Sequence, residues 1–286
     1  MITLIQKQKY NKGIKDNGLI DFSGTRLANS LNFKISTPKI KPSPKTKLFI
    51  NWGLTDLGVS NIPNTPILNH PLHIRRSSNK IETLRLLSAN NIPSPIFFLS
   101  YREAYNYLEA NPKEKIVCRT LINSTNGNGI VIAKTLEELV DCRLYTVYFP
   151  KKWEIRVHVA SFPSLSTKDT NVAFGEVIHI SQKRRLSSEE LESRGLLSER
   201  SKYIRNLSNG YIYSDRLDSL LSPELLEAIG MHCLETFRVL ELNFGAVDVL
   251  ISKNMEYVIL EVNSAPGLQG RTLEIYSSVF REELEL

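Results

Sequence analysis

Two strand-length runs near the C-terminal end constrain this chain most. Residues 244–251 and 257–263 are dense in β-branched, aliphatic and aromatic side chains, and Ser252-Lys253-Asn254 supplies turn residues between them. Side chains alternate across a strand with a period of two. In the second run Val258, Leu260 and Val262 then form an apolar face, while Tyr257, Ile259, Glu261 and Asn263 share the other. If the runs close as a hairpin with Ile251 facing Val258, Asp248 lies opposite Glu261. Asp248, Glu261 and Asn263 then turn three oxygen donors toward one spot, and hard oxygen donors near a phosphate suit Mg²⁺. The plain alternative is a half-buried hairpin that carries acids at its end. Against it stands the cost of burying an unpaired Glu.

Bulk properties leave both readings open. The 286 residues suffice for two or three packed lobes, and 42% hydrophobic with 23% charged residues is ordinary for a globular protein. No apolar run approaches the ~18 residues of a membrane helix, and the first residues lack a signal-peptide core. Three scattered cysteines, Cys118, Cys142 and Cys233, follow no metal-ligand spacing, so a reduced, cytoplasmic setting is expected (a host cytoplasm if the source is viral). Lys+Arg exceed Asp+Glu by 36 − 30 = 6. That excess fits nucleic acid, or an enzyme handling anionic substrates.

Strands and helices alternate along the chain, with no internal repeat. Residues 1–47 say least; within them 34–47 holds five lysines, three prolines and no acid, as a solvated loop or linker would. Leu48–Trp52 reads as a buried strand ending at Gly53. Ser77 or Ser78 is expected to cap a helix ending near Asn90. Ser100-x-x-Glu103 and Thr135-x-x-Glu138 read as capping boxes. Strands 116–121 and 130–133 flank Asn123-Ser124-Thr125-Asn126-Gly127-Asn128-Gly129. The glycines let backbone N–H groups approach a phosphate, although a Gly-containing hairpin also needs no ligand. No Gly-Lys-Ser/Thr follows, so this is not a Walker loop. Residues 152–159 alternate cleanly: Ile155, Val157 and Val159 toward a core, Glu154, Arg156 and His158 on the other side, which could equally be a solvent-facing edge. Ser222-Pro223-Glu224 caps a helix placing Leu225, Ile229 and Cys233 on one face, with its Cys and Met expected in the core.

Asp248, Glu261-Val-Asn263 and the following Ser-Ala-Pro-Gly resemble the metal-binding end of the ATP-grasp ligases, most closely the branch of the ribosomal-protein glutamate ligases. The segment from Arg76-Ser-Ser-Asn79-Lys80 to Ile92-Pro93-Ser94-Pro95 is similar to that family's element running from Asp-Lys to Gly-Ile-Pro-x-Pro, with Asn79 where an Asp is frequent. Tyr203-Ile-Arg205-Asn206 through Gly210 resembles its Arg-x-Asn…Gly element. The resemblance covers about 70–286 and thins before that.

It implies an α/β (α+β) ATP-grasp fold, two α+β subdomains sandwiching ATP behind a short N-terminal α/β lobe. The expected divisions are an N-terminal lobe at 1–74, a lid subdomain with its linking helix at 75–147 and a metal-binding subdomain at 148–286. It places Lys80 and Arg119 on the nucleotide phosphates, Arg119 where Lys is common, under a loop holding Ser124, Asn126, Gly127, Asn128 and Gly129. Tyr145, Thr146 and Val147 fall at the hinge beside adenine, without the acid many relatives carry there. Arg156 and Arg205 are implied as catalytic, with Lys183 near the nucleotide. His158, Asn206 and Arg271 are implied on the substrates, His158 binding or orienting rather than acting as a base. The expected cofactors are ATP and Mg²⁺, two ions, or Mn²⁺ in its place; the expected reaction is amide formation between a small-molecule or peptide carboxylate and an amine. A homo-oligomer is compatible with this, a membrane partner is not expected, and nucleic acid is disfavoured because Tyr203 is the lone aromatic among the basic residues of 182–206. Two other classes remain as alternatives: a catalytically silent ATP-binding regulatory module and a basic nucleic-acid binder.

Overall fold

The computed structural model describes residues 1–6, 23–38, 43–57, 65–121, 129–162, 175–193, 203, 205–206 and 209–285. Three sheets organise them. The first is parallel, in the order β2 (Lys34–Ser36), β1 (Ile2–Gln6), β3 (Leu48–Trp52), β4 (Ile67–Leu68). Every residue of β3 is buried, as expected of a central parallel strand with both faces covered. Helix α1 (Ser23–Ser30) and the last helix, α7 (Arg271–Glu283), share one core with this sheet: Leu4, Leu27, Ile50 and Trp52 pack with Phe244, Tyr276 and Phe280. Lys34–Ser36 corrects the expectation of a loop over 34–47. Only three residues pair with β1, too few for a period to emerge from so lysine-rich a stretch.

The second sheet is antiparallel, in the order β5 (Phe97–Phe98), β8 (Leu144–Val147), β6 (Ile116–Arg119), β7 (Ile130–Ala133). Helix α4 (Tyr101–Ala110) covers one side through Ala104 and Leu108, and both halves of its Ser100/Glu103 capping box form. The Thr135/Glu138 box does not. Residues 136–138 make a single 3₁₀ turn, Thr135 makes no capping bond, and Glu138 instead accepts from the Lys134 N–H at 2.7 Å.

The third sheet is antiparallel and larger, in the order β11 (Tyr211–Ser214), β10 (Glu176–Arg185), β9 (Lys151–Ala160), β12 (Phe244–Ser252), β13 (Tyr257–Asn263). Helices α2 (Pro71–Ser78), α3 (Lys80–Ala89) and α6 (Pro223–Leu240) pack on one face. Ile155, Val157 and Val159 are fully buried there against Ile229, Cys233 and Phe237. Met231 is 62% exposed, contrary to expectation. It lies two residues from both Ile229 and Cys233, a spacing that turns it to the opposite side of the helix. Helix α3 begins later than expected: α2 extends to Ser78, and Asn79 is the cap, accepting from the N–H groups of Ile81 and Glu82. Among the described residues no helix is long and apolar enough to cross a membrane.

Candidate active site

Asp248 pairs with Glu261 across the β12–β13 hairpin, and Ala246 with Asn263, but not by the register expected. Ile251 faces Tyr257 rather than Val258, and a bulge at Leu260 absorbs the difference. The extra residue restarts the alternation. Ile259 therefore joins Val262 in the α6 core, while Leu260 and Glu261, adjacent in sequence, both line a cleft. The two faces inferred from strict alternation are corrected accordingly. Gly245 permits this closure: a Cβ there would stand 2.5 Å from the Asn263 carbonyl oxygen.

The cleft, of about 1020 Å³, separates the second sheet from the open face of the third. Lys80, Arg119, Thr146, Val147, Arg156, His158, Lys183, Arg205, Asn206, Asp248, Glu261 and Arg271 all line it, brought from eight elements and the segment between β10 and β11. A second cavity of about 350 Å³ shares Lys80, Arg119, Arg156 and Glu261 and is also lined by Asn263. Tyr145 differs: its ring is buried in the small-sheet core, with the hydroxyl donating to the Val140 carbonyl and accepting from the Cys142 N–H. Gly129 closes the base of the β6–β7 connection at φ +71, its carbonyl accepting from the Thr120 N–H at 2.9 Å. Ser124, Asn126, Gly127 and Asn128 lie outside the described residues.

Charge is concentrated around the two acids. Arg156 donates to Asp248 through Nε (2.6 Å, to Oδ1) and Nη2 (2.8 Å, to Oδ2), and the Tyr213 hydroxyl donates to Oδ1 at 3.2 Å. Burial alone would push the Asp248 carboxyl up, but the Arg156 guanidinium outweighs it and holds the carboxyl below its usual value. Glu261 goes the other way. Burial and then the neighbouring Asp248 charge raise it, against the pull of Lys80, Arg156 and Arg119. The Asn263 amide nitrogen is buried with no hydrogen-bond partner among the described residues. Among the described residues no group of three or more His, Cys, Asp and Glu is placed to hold a metal. The set here is two carboxylates and an amide, all hard oxygen donors, with one crowded acid in need of a cation; these residues fit Mg²⁺.

Near the start of β9 the cleft holds a second cluster, of which sequence reasoning assigned Lys183 and Arg205 to the site but not Lys151 or Glu154. The buried Glu154 carboxylate binds Lys151 at 2.8 Å through one oxygen and Lys183 through the other. Lys183 also donates to the Arg205 carbonyl at 2.8 Å. The Arg205 guanidinium donates to the carbonyls of Lys152 (3.1 Å) and Lys151 (3.3 Å). Those residues lie four and five positions up β9 from Arg156, about 13–17 Å at the rise of a strand. Alternation had placed Glu154 beside Arg156, a usable signal; nothing in the sequence pointed to Tyr213. At the far end, the Tyr276 hydroxyl donates to the Gly245 carbonyl at 2.8 Å, so it accepts from His158 Nδ1 at 3.1 Å and fixes the Nδ1–H tautomer. Burial, Arg156 and His179 lower the His158 pKa to about 3. A neutral ring at physiological pH can bind or orient, but is a poor proton acceptor.

The chain matches no family model. Solved structures match it along nearly its whole length. D-alanyl-alanine synthetase A from Vibrio cholerae superposes at TM-score 0.65 with 12% identity, over 99% of this chain and 96% of that one. The RimK domain protein ATP-grasp from Sphaerobacter thermophilus does so at TM-score 0.58 with 13% identity, over 99% and 98%. This is the ATP-grasp fold. In sequence, the ATP-grasp chain is similar to a probable alpha-L-glutamate ligase of Ectopseudomonas mendocina, 27% identical over 205 residues, 71% of this chain and 60% of that protein. Another of the same name in Shewanella halifaxensis is 25% identical over 272 residues, 94% of this chain and 53% of that protein. The chain thus spans about 60% or less of the length of these two curated relatives.

Proposed function

We propose that this chain is an ATP-dependent, ADP-forming ligase that joins a carboxylate to an amine through an acyl phosphate. One observation carries the reading: Asp248 and Glu261 are paired in a cleft whose walls supply Lys80, Arg119 and Arg156. Asp248, Glu261 and Asn263 would hold Mg²⁺, two ions being the proposed number and Mn²⁺ a substitute; bound there, the metal would offset the charge of the β- and γ-phosphates. Lys80 and Arg119 would contact phosphate oxygens under the 124–129 loop. Thr146, Val147 and the backbone of Tyr145 would meet the adenine. We take residues 1–74, 75–147 and 148–286 as the working lobes of this machine, with α2 and α3 as a link that packs on the large sheet rather than on the small one.

The substrate carboxylate attacks the γ-phosphorus and ADP leaves, while Arg156 offsets charge spread over the transferring group. The amine then attacks the acyl carbon, phosphate leaves, and the amine's proton passes to solvent. Closure of the small sheet over the large one would keep water from the acyl phosphate. His158, Asn206 and Arg271 are assigned to the substrates, and Lys183 to the nucleotide. The bonds of Arg205 to the carbonyls of Lys151 and Lys152 suit support of the hinge and nucleotide better than a place over the transferring group. The relatives' name makes L-glutamate the first substrate to try.

A screen of amino acids and peptides in pairs for ADP release tests this reading, with Glu261→Ala as control. At least one pair should release ADP with the wild type and about 100-fold less with the variant. Identical behaviour of the two proteins on every pair would refute it.

A further inference from the structure

Tyr213, on β11, stands among the charges of the cleft. Its ring lies under the Arg156 guanidinium, 4.2 Å from the ring centre, and under the Lys183 ammonium at 4.9 Å. Its hydroxyl reaches Asp248 Oδ1 at 3.2 Å. A phenol keeps its proton at neutral pH, so this O–H is a donor and the carboxylate oxygen its acceptor.

Counting acceptors on Asp248 shows what that bond does. A carboxylate offers about four lone-pair sites, two on each oxygen. Oδ1 takes the Arg156 Nε–H and the Tyr213 O–H, which fills it. Oδ2 takes one Arg156 N–H and, among the described residues, keeps a site open. We infer that Tyr213 is a positioning residue that makes Asp248 a single-oxygen ligand and thereby favours Mg²⁺ and Mn²⁺ over Ca²⁺. The inference rests on the reading of Asp248 as a cation ligand. Mg²⁺ takes near-octahedral sets of single oxygens, whereas Ca²⁺ is larger and readily accepts both oxygens of one carboxylate. Denying Oδ1 to the ion therefore costs Ca²⁺ a ligand and Mg²⁺ none. Tyr213→Phe keeps the ring beneath the two cations and removes only the hydroxyl, reopening one site on Oδ1.

The test uses Mn²⁺ as the probe, with ADP present, and reads free Mn²⁺ by electron paramagnetic resonance while MgCl₂ or CaCl₂ competes. Wild type, Tyr213→Phe and Glu261→Gln are compared. Wild type should release Mn²⁺ to Mg²⁺ more readily than to Ca²⁺. In Tyr213→Phe the Mg²⁺-to-Ca²⁺ preference should fall about tenfold, the scale of one hydrogen bond to a charged group. An unchanged or stronger preference in Tyr213→Phe overturns the inference and leaves the cation site standing. If Glu261→Gln holds as much Mn²⁺ as wild type, the cation site itself is refuted, and the inference with it.

Discussion

Asp248 and Glu261 sit side by side, yet one is compensated and the other only in part. Removing a buried carboxylate from water costs several kcal/mol, recovered only where geometry and hydrogen bonding are good. Asp248 has that geometry in its two-pronged bond to Arg156; Glu261 carries a raised pKa instead. A raised carboxyl pKa means the folded state holds its proton longer than the unfolded chain does. Metal-free stability is then full below the ordinary value of 4.5 and declines as pH rises through the folded value. Glu261→Gln removes that titration. It should raise metal-free stability at neutral pH by about 1 kcal/mol in urea unfolding and flatten the decline, while abolishing ADP formation. A variant less stable than wild type at neutral pH would show that Glu261 is not a strained ligand.

Among the elements, the β12–β13 hairpin sets the site, and Gly245 sets the hairpin. Any Cβ there meets the Asn263 carbonyl, a backbone atom with little room to yield. Gly245→Ala should cost about 1–3 kcal/mol and weaken Mn²⁺ binding by displacing Asn263. Wild-type stability and Mn²⁺ affinity in that variant would contradict this. The hairpin also marks the limit of sequence reading. The Asp248–Glu261 pairing was legible because both acids sit in apolar runs of strand length. The bulge was not, since Leu260 is as suitable in a regular strand as at a bulge, and its effect on Ile259 could not be foreseen. The Ser100 box and the strand 152–159 were legible because each is a local pattern. Helix α2 was hidden because its cap is a histidine, His70, not one of the residues that mark a helix start. The reach of Tyr213 from β11 to β12 depends on how the sheet packs its side chains, which no local pattern records.

At the scale of the whole molecule, the wall behind the cleft is braced by the N-terminal sheet. Trp52 stacks on Phe244 with centroids 5.3 Å apart, and Asn69 and Asn243 exchange backbone–side-chain bonds at 2.7 and 2.8 Å. The same core fixes Tyr276, which fixes the His158 tautomer. The small sheet, by contrast, has its own core around Ala104, Ile116 and Tyr145, so one wall can move against a braced one. That arrangement would serve the proposed reaction, which needs a closed cleft only while a water-sensitive intermediate exists. The central claim, that a substrate carboxylate is activated by the γ-phosphoryl group of ATP, is tested most directly by isotope transfer. With a productive substrate pair and ¹⁸O in the substrate carboxylate, the released inorganic phosphate should carry one ¹⁸O atom alongside ADP. Unlabelled phosphate, or AMP and pyrophosphate in place of ADP and phosphate, would contradict it.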